Sequence, residues 1–100
     1  MTRKISLTVN DTPINLDYFV AGYLDHVTGG IISSLKDTGE IKNLALDIDN
    51  EGQVTINLNG TEVPLGYFAT EIVKSTIAGM VAPLKGVAGG IDKLELKISR

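Results

Sequence analysis

The 100-residue chain contains no cysteine and only one histidine, and these absences exclude several kinds of site. Without cysteine there is no disulfide, no thiolate nucleophile and no cysteine-ligated zinc, a pattern that fits a reducing compartment. His26 stands alone, so one chain cannot build a metal site or a proton relay that needs two histidines. Helical periodicity places His26 on a narrow polar side of a helix, where we expect it to be solvated.

Long apolar runs and basic runs are also missing. No apolar stretch reaches the roughly 20 residues that a membrane-spanning helix needs, and the first residues alternate where a signal peptide would be apolar. The net charge is −3, and no basic cluster could neutralise a series of phosphates. We therefore expect a cytoplasmic protein that binds neither membrane nor nucleic acid, and we expect no cofactor.

An internal repeat is present, with one copy at residues 4–49 and the other at 53–99. Twelve of the 44 positions from Ile5 to Ile48 are identical in the two copies, where chance gives roughly three. The identities are Asn10/Asn59, Thr12/Thr61, Leu16/Leu65, Tyr18/Tyr67, Phe19/Phe68, Gly30/Gly79, Leu35/Leu84, Lys36/Lys85, Ile41/Ile91, Leu44/Leu94, Leu46/Leu96 and Ile48/Ile98. One copy is too small to bury a sufficient core alone, so we expect residues 1–100 to form a single domain.

Each copy begins with a predicted β-hairpin. Apolar and polar residues alternate before the turn, which is the period of a strand with one buried face. Asn10-Asp11 and Asn59-Gly60 tolerate the positive φ of a two-residue type I′ turn. Pro13 and Pro64 follow in the return strands. Since proline cannot donate a hydrogen bond to a neighbouring strand, we expect these strands at the sheet edges.

A helix is predicted in the middle of each copy, at residues 17–36 and 66–85. At 100° per residue, one stripe of each helix should pack on the sheet. The predicted stripes are Val20, Leu24, Val27, Ile31 and Leu35 in the first helix, and Ala69, Val73, Thr76, Met80 and Leu84 in the second. Further apolar residues widen each arc beyond half of the circumference, so one sheet cannot cover it.

These elements predict an α+β fold made of two tandem β-β-α-β units. An alternating strand ends each copy, and residues 49–52 should form the hairpin turn that joins the copies. We expect a mainly antiparallel sheet of six strands, with both helices on one face and a pseudo-twofold axis relating the halves.

The surplus apolar helix surface is the first candidate site. Gly30 and Gly79 match between the copies, and a glycine lets another backbone come close. The predicted interface residues are Tyr23, Gly30, Ile32, Ile72, Gly79 and Val81. The favoured function is a non-catalytic structural or interaction protein that forms a homo-oligomer, such as a dimer, or docks on another protein.

An apolar pocket between sheet and helices is the alternative, and it would make the chain a small-molecule binder. Its predicted lining is Tyr18, Phe19, Tyr67, Phe68 and Met80. Tyr18 and Tyr67 also fit a structural role, with each ring packed over a strand. Lys36 and Lys85 at the helix ends likewise fit an interaction with the helix dipole.

No arrangement of residues predicts an enzyme. Ser33 and Ser34 follow two glycines inside a helix and lack the strand-to-helix turn of a nucleophilic serine. Residues 47–52 resemble the first half of a calcium-binding EF-hand loop, but Leu58 stands where a bidentate glutamate is needed. We interpret this segment as an acidic hairpin turn, with weak calcium binding as the open alternative and no other metal site predicted.

Overall fold

The chain forms two helices and six strands in a computed structural model that describes residues 4–35, 41–84, 87 and 91–99. The elements are β1 (Lys4–Val9), β2 (Thr12–Pro13), α1 (Tyr18–Leu35), β3 (Asn43–Ile48), β4 (Val54–Leu58), β5 (Thr61–Glu62), α2 (Tyr67–Val81) and β6 (Leu94–Ser99). Every pair of neighbouring strands is antiparallel. The predicted α+β class is therefore confirmed.

The six strands lie in one sheet in the order β2-β1-β6-β3-β4-β5. β3 and β6 form the central pair, and the turn at residues 49–52 joins β3 to β4 as predicted. The β1–β2 hairpin lies beside β6, whereas the β4–β5 hairpin lies beside β3. The hairpin of each half of the chain therefore pairs with the last strand of the other half.

The hairpin turns follow the chemistry of their sequences. The strand register leaves two residues in each turn. The φ angles are 51° and 66° in Asn10-Asp11, and 51° and 85° in Asn59-Gly60. Positive φ at both positions is the mark of a type I′ turn, which confirms the prediction.

The two outer strands are short, and a proline limits each of them. β2 and β5 contain two residues each and form the two edges of the sheet. Pro13 ends β2, while Pro64 lies just beyond the end of β5. The predicted edge position of both return segments is therefore confirmed.

One face of the sheet carries the core. Leu7, Leu96, Leu46 and Ile56 pair in a row across the four long strands, and all four are buried. Residues of both helices belong to the same apolar cluster, so the helices cover this face. Alternate strand residues point the other way and make the opposite, open face mainly polar. They are Ser6, Thr8, Ala45, Asp47, Thr55, Asn57, Glu95 and Lys97.

The helices pack on the sheet through a stripe that differs from the predicted one. The buried residues are Leu24, Asp25, Thr28 and Ile32 in α1, and Val73, Ile77 and Val81 in α2. Of the predicted stripes only Leu24 and Val73 are buried, and the other described members are half-buried. The side chain of Leu35 lies outside the described residues. The predicted stripes were right in part, since Val20, Ile31, Met80 and Leu84 pack against the core, but the apolar arc is too wide to single out the most buried line.

The second helix ends four residues before its predicted end. α2 stops at Val81, and the Ala82 N–H still donates to the Ala78 carbonyl oxygen at 2.9 Å. Pro83 has no N–H to donate to the Gly79 carbonyl oxygen, so the helical hydrogen bonds cannot continue, although Ala82 itself has helical dihedral angles of φ −52° and ψ −40°. Lys36 and Lys85, expected at the helix ends, lie outside the described residues.

The described residues form a thin slab of 35 × 35 × 18 Å, which corresponds to one sheet and one layer of helices. Within this part of the chain, neither helix has the length and apolar character that crossing a bilayer requires. One side of each helix therefore faces away from the sheet with no further layer of the described chain above it.

Candidate interaction surface

The starts of the two helices fix the positions of two aromatic pairs. The Val20 N–H donates to Oδ1 of Asp17 at 2.8 Å, so Asp17 caps α1. Gly66 occupies the same position before α2 and provides no side-chain cap. Tyr18-Phe19 and Tyr67-Phe68 are therefore the first two helical residues in each case.

Five residues on the outward side of the helices form a surface that we call the helix face: Phe19, Tyr23 and Gly30 of α1, with Phe68 and Ile72 of α2. Phe19 and Phe68 are 74% and 76% exposed, and Tyr23 and Ile72 are 47% and 45% exposed. Monomeric proteins rarely expose large contiguous apolar patches, and those patches are often functional. The helix face is therefore the strongest candidate site on the described chain.

Phe19 and Tyr23 form one aromatic projection on this face. They lie one helical turn apart, and their ring centroids are separated by 6.0 Å with the ring planes 4° apart. Residues at i and i+4 lie on the same side of a helix, which brings the rings together. The stacked pair stabilises one arrangement of both rings while leaving them exposed.

An apolar groove, which we call the interhelix groove, lies between α1 and α2. It has a volume of about 490 Å³ and is lined by Gly30, Ile31, Ser34, Phe68, Ala69, Ile72 and Val73. A Cβ atom placed on Gly30 would meet nothing within 4 Å, so the groove is open at this glycine. The Ser34 hydroxyl donates to the Gly30 carbonyl oxygen at 2.9 Å, so it is engaged with the backbone of its own helix.

The two helices carry very few charges. Residues 18–35 contain one charged residue, Asp25, and residues 67–81 contain two, Glu71 and Lys74. Asp25 is buried and Lys74 is half-buried, which leaves Glu71 as the exposed charge on the two helices. Solvated surfaces are about 25–35% charged. The outward side of these helices therefore differs from an ordinary solvent-facing surface.

The predicted interface residues fall into two groups. Tyr23, Gly30, Ile72 and Gly79 are exposed on the helices. Ile32 and Val81 are fully buried against the sheet, because the packed stripe is rotated toward them. In this fold those two side chains cannot reach another molecule, so any interface is restricted to the exposed residues.

The five residues predicted to line a pocket do not lie together in the structure. Tyr18 and Tyr67 are 97% and 83% exposed, so neither ring packs over a strand, contrary to the structural role considered for them. Phe19 lies on the helix face, and Phe68 lines the interhelix groove. Met80 is half-buried and packs against the core.

A larger concave region of about 770 Å³ lies at the ends of the central strands. Its lining is Lys4, Ile5, Ser6, Leu16, Ala21, Asn43, Leu44, Ala45, Asn57, Gly60, Lys97, Ile98 and Ser99. These residues come from both faces of the sheet and mix apolar with polar side chains. The five residues predicted to line a pocket are not among them.

The acidic segment 47–52 forms a turn that is held by Asp49. Its Oδ1 atom accepts hydrogen bonds from the N–H groups of Glu51 and Gln53, both at 2.9 Å. The N–H of Gly52, whose φ is 81°, donates to the Asp49 carbonyl oxygen at 2.9 Å. One oxygen of the carboxylate thus stabilises the turn. Among the described residues, no three His, Cys, Asp or Glu side chains are grouped closely enough to hold a metal ion.

The open face of the sheet places two carboxylates opposite each other. Asp47 on β3 pairs directly with Glu95 on β6. Partial burial and the nearby Glu95 charge raise the pKa of Asp47, while Lys97 acts in the opposite direction. This face is polar and charged, in contrast to the helix face.

The sequence did not identify two polar residues of α1 as buried. Asp25 and Thr28 both lie in the buried stripe. Thr28 falls between Leu24 and Ile32 on a helical wheel, so its burial could have been predicted from periodicity. His26 is exposed as expected, with Nδ1 at 2.8 Å from the Gly22 carbonyl oxygen.

Comparison with known proteins gives no relative from which a function could be inferred. No family model, no curated protein and no solved structure matches the sequence or the fold.

Proposed function

We propose that the chain is a non-catalytic interaction domain that forms a homodimer through the helix face. The observation that carries this proposal is a layer of helices that exposes Phe19, Tyr23, Phe68 and Ile72 while presenting almost no charge. In a twofold dimer the same patch of two copies meets, so identical charges would face one another. A patch with few charges avoids that repulsion.

The other surfaces of the described chain are poorly suited to self-association. The sheet edges are two-residue strands, with Pro13 inside β2 and Pro64 just beyond β5, and short edges with proline oppose edge-to-edge pairing. The open face carries Asp47, Glu95 and Lys97, so self-association there would remove charged side chains from water. The helix face therefore remains the favoured surface.

The size of the helix layer also supports the proposal. α1 has 18 residues and α2 has 15, which gives lengths of about 27 Å and 22 Å. With a helix width of about 10 Å, their projected area is roughly 500 Å², and the accessible area of such a corrugated surface is larger. A stable interface buries about 800 Å² per partner. Two helix layers packed face to face would approach that value.

Single substitutions on the helix face test the proposal. Phe68→Ser removes a ring that is 76% exposed, so it should weaken the dimer on the order of tenfold or more and leave the monomer folded. Tyr67→Ser is the matched control, because the adjacent ring is 83% exposed and lies outside the helix face. Equal dissociation constants for the two variants, measured by sedimentation equilibrium, would count against the helix face as the interface.

We further propose that the fold is a tandem duplication with a pseudo-twofold axis between β3 and β6. The pairing of β1 with β6 matches that of β4 with β3, and each hairpin has the same two-residue turn. Leu46 pairs with Leu96, its counterpart in the repeat, at the centre of the sheet. These correspondences support a single-copy ancestor that assembled as a dimer, since each hairpin pairs with the last strand of the other half.

Expression of residues 1–50 alone tests the duplication. A folded dimer with the circular dichroism of an α+β protein is the expected result, because two copies could reproduce the strand pairing of the full chain. An unfolded monomer at all concentrations would count against the proposed ancestor. This outcome is independent of whether the full chain dimerises through its helix face.

The concave region at the strand ends supports a second candidate function, the binding of a small apolar molecule. Its volume of about 770 Å³ falls in the range of ligand pockets, and Ile5, Leu16, Leu44 and Ile98 give it an apolar part. Dodecanoate should then raise the melting temperature of the full chain, and Ala21→Leu should reduce that rise by filling the cavity. A melting temperature unaffected by dodecanoate would count against this candidate.

A further inference from the structure

We infer that the Phe19–Tyr23 pair of one copy inserts into the interhelix groove of a second copy. This inference rests on the proposed self-association and adds to it the residues that meet. The contact would occur twice in a twofold dimer, once in each direction.

The interhelix groove has the character of a receptor for an apolar side chain. Gly30 leaves the α1 side of the groove open, since a Cβ there would meet nothing within 4 Å. Ile72 and Phe68 lie on the α2 side, and none of the residues that line the groove is charged. The Ser34 hydroxyl is already bonded to the Gly30 carbonyl oxygen. An aromatic ring would therefore leave no polar group of this lining newly unpaired, provided that the Tyr23 hydroxyl stays in water at the mouth of the groove.

The stacked aromatic pair has the matching properties. Its two rings are parallel within 4° and form a flat projection, with 74% of Phe19 and 47% of Tyr23 exposed. Aromatic side chains bury about 150–250 Å² each and dominate the energetics of many interfaces. Stacking also restricts both rings before association, which lowers the entropy cost of binding.

The charge distribution of the helix layer favours a second copy of the chain as the occupant of the interhelix groove. Projection and groove lie on the same helix layer, whose exposed charge is Glu71, so one symmetric contact would cover both and bring few like charges together. The exposed carboxylate of Glu71 is not among the groove residues. A charged partner protein would gain no complementary contact from such a surface.

Filling the groove tests the inference with a variant that should stabilise the monomer. Gly30→Leu adds a side chain where there is space and replaces a helical glycine with a residue of higher helix propensity, which should raise the melting temperature. Gly22→Leu is the matched control, because a Cβ on this α1 glycine also meets nothing within 4 Å and Gly22 does not line the groove. The full chain and both variants are compared by sedimentation equilibrium and thermal unfolding.

The expected result is a dissociation constant at least about tenfold higher for Gly30→Leu, with Gly22→Leu dimerising like the unchanged chain. Gly30→Ala, which adds one methyl group, should show a smaller loss and serves if the leucine variant does not fold. Unchanged dimerisation of Gly30→Leu or Gly30→Ala would overturn the inference and leave the proposed homodimer intact. Equal losses at Gly30 and Gly22 would also overturn it.

Two outcomes for the unchanged chain would also contradict the inference. An unchanged chain that stays monomeric at all concentrations would remove the proposed function together with the inference. A monomer whose melting temperature is raised by dodecanoate, with the rise lost in Gly30→Leu, would assign the groove to a small molecule instead of a second copy.

Discussion

Asn10 and Asn59 make the same set of hydrogen bonds on the two sides of the sheet centre. Oδ1 of Asn10 accepts the N–H groups of Asp92-Lys93 at 2.8 and 2.9 Å. Oδ1 of Asn59 accepts those of Lys42-Asn43, both at 2.9 Å. Each asparagine thereby ties its hairpin turn to the start of the neighbouring central strand.

Removing either asparagine side chain should destabilise the fold. Asn10→Gly and Asn59→Gly keep a residue that tolerates positive φ, but each loses two hydrogen bonds worth about 0.5–1.5 kcal/mol apiece. We expect the free energy of unfolding, measured by urea denaturation, to fall by about 1–3 kcal/mol. Asn50→Gly, in an exposed turn, is the control for the entropy of the added glycine. Losses no larger than in this control would contradict the assigned role.

Thr28 should be replaceable by valine with a gain in stability. Its side chain is fully buried, and among the described residues its Oγ1 atom has no hydrogen-bond partner. Burying an unpaired hydroxyl costs about 1–3 kcal/mol, and valine has nearly the same shape. We expect Thr28→Val to raise the melting temperature by several degrees, whereas Thr76→Val, half-buried on α2, should change it little. A lower melting temperature for Thr28→Val would show that the hydroxyl is satisfied.

The uncapped start of α2 offers a second stabilising change. Gly66 has φ −75° and ψ 172°, which suit an aspartate cap, and a Cβ there meets nothing within 4 Å. Gly66→Asp should raise the free energy of unfolding by about 0.5–1.5 kcal/mol through the cap, the helix dipole and reduced unfolded-state entropy. The reverse change at the first helix, Asp17→Ala, should lower it by about 1 kcal/mol. Chemical denaturation measures both changes in the free energy of unfolding. Changes of the same sign in the two variants would contradict the assigned capping roles.

The Asp47–Glu95 pair should make stability depend on pH. Folding raises the pKa of Asp47 above 3.8, so the folded state favours the protonated carboxyl group. The protonated group therefore contributes to the free energy of unfolding at a pH below 3.8. This contribution is lost as the pH rises through the folded-state pKa. Asp47→Asn should therefore be more stable than the unchanged chain at pH 7, and the two should converge near pH 3. Glu51→Gln, in an exposed turn, is the control. A constant difference at all pH values would contradict this account.

The hairpins and the fold class could be predicted because they depend on sequence signals that span only a few residues. Asn10-Asp11 and Asn59-Gly60 specify the turn, and alternation specifies which strand face is buried. Pro13 and Pro64 then place the return segments at the edges. Pro83, which sits inside the second predicted helix, carried the signal for its early end and outweighed the apolar periodicity around it.

The orientation of the helices could not be predicted in the same way. In α1, Phe19, Tyr23, Ile31 and Ile32 spread apolar character over more than half of the circumference. Periodicity alone then gives no unique buried side, and the packing against the sheet decides that Ile32 is buried and Phe19 exposed. The groove could not be predicted either, because it requires the relative placement of α1 and α2, which no local pattern contains.

The mass of the full chain in solution, measured by light scattering over a range of concentrations, tests the central claim most directly. The account predicts a species of twice 10.6 kDa that dissociates on dilution and that Phe68→Ser shifts toward one copy. A constant mass of 10.6 kDa up to the highest concentration would contradict self-association through the helix face.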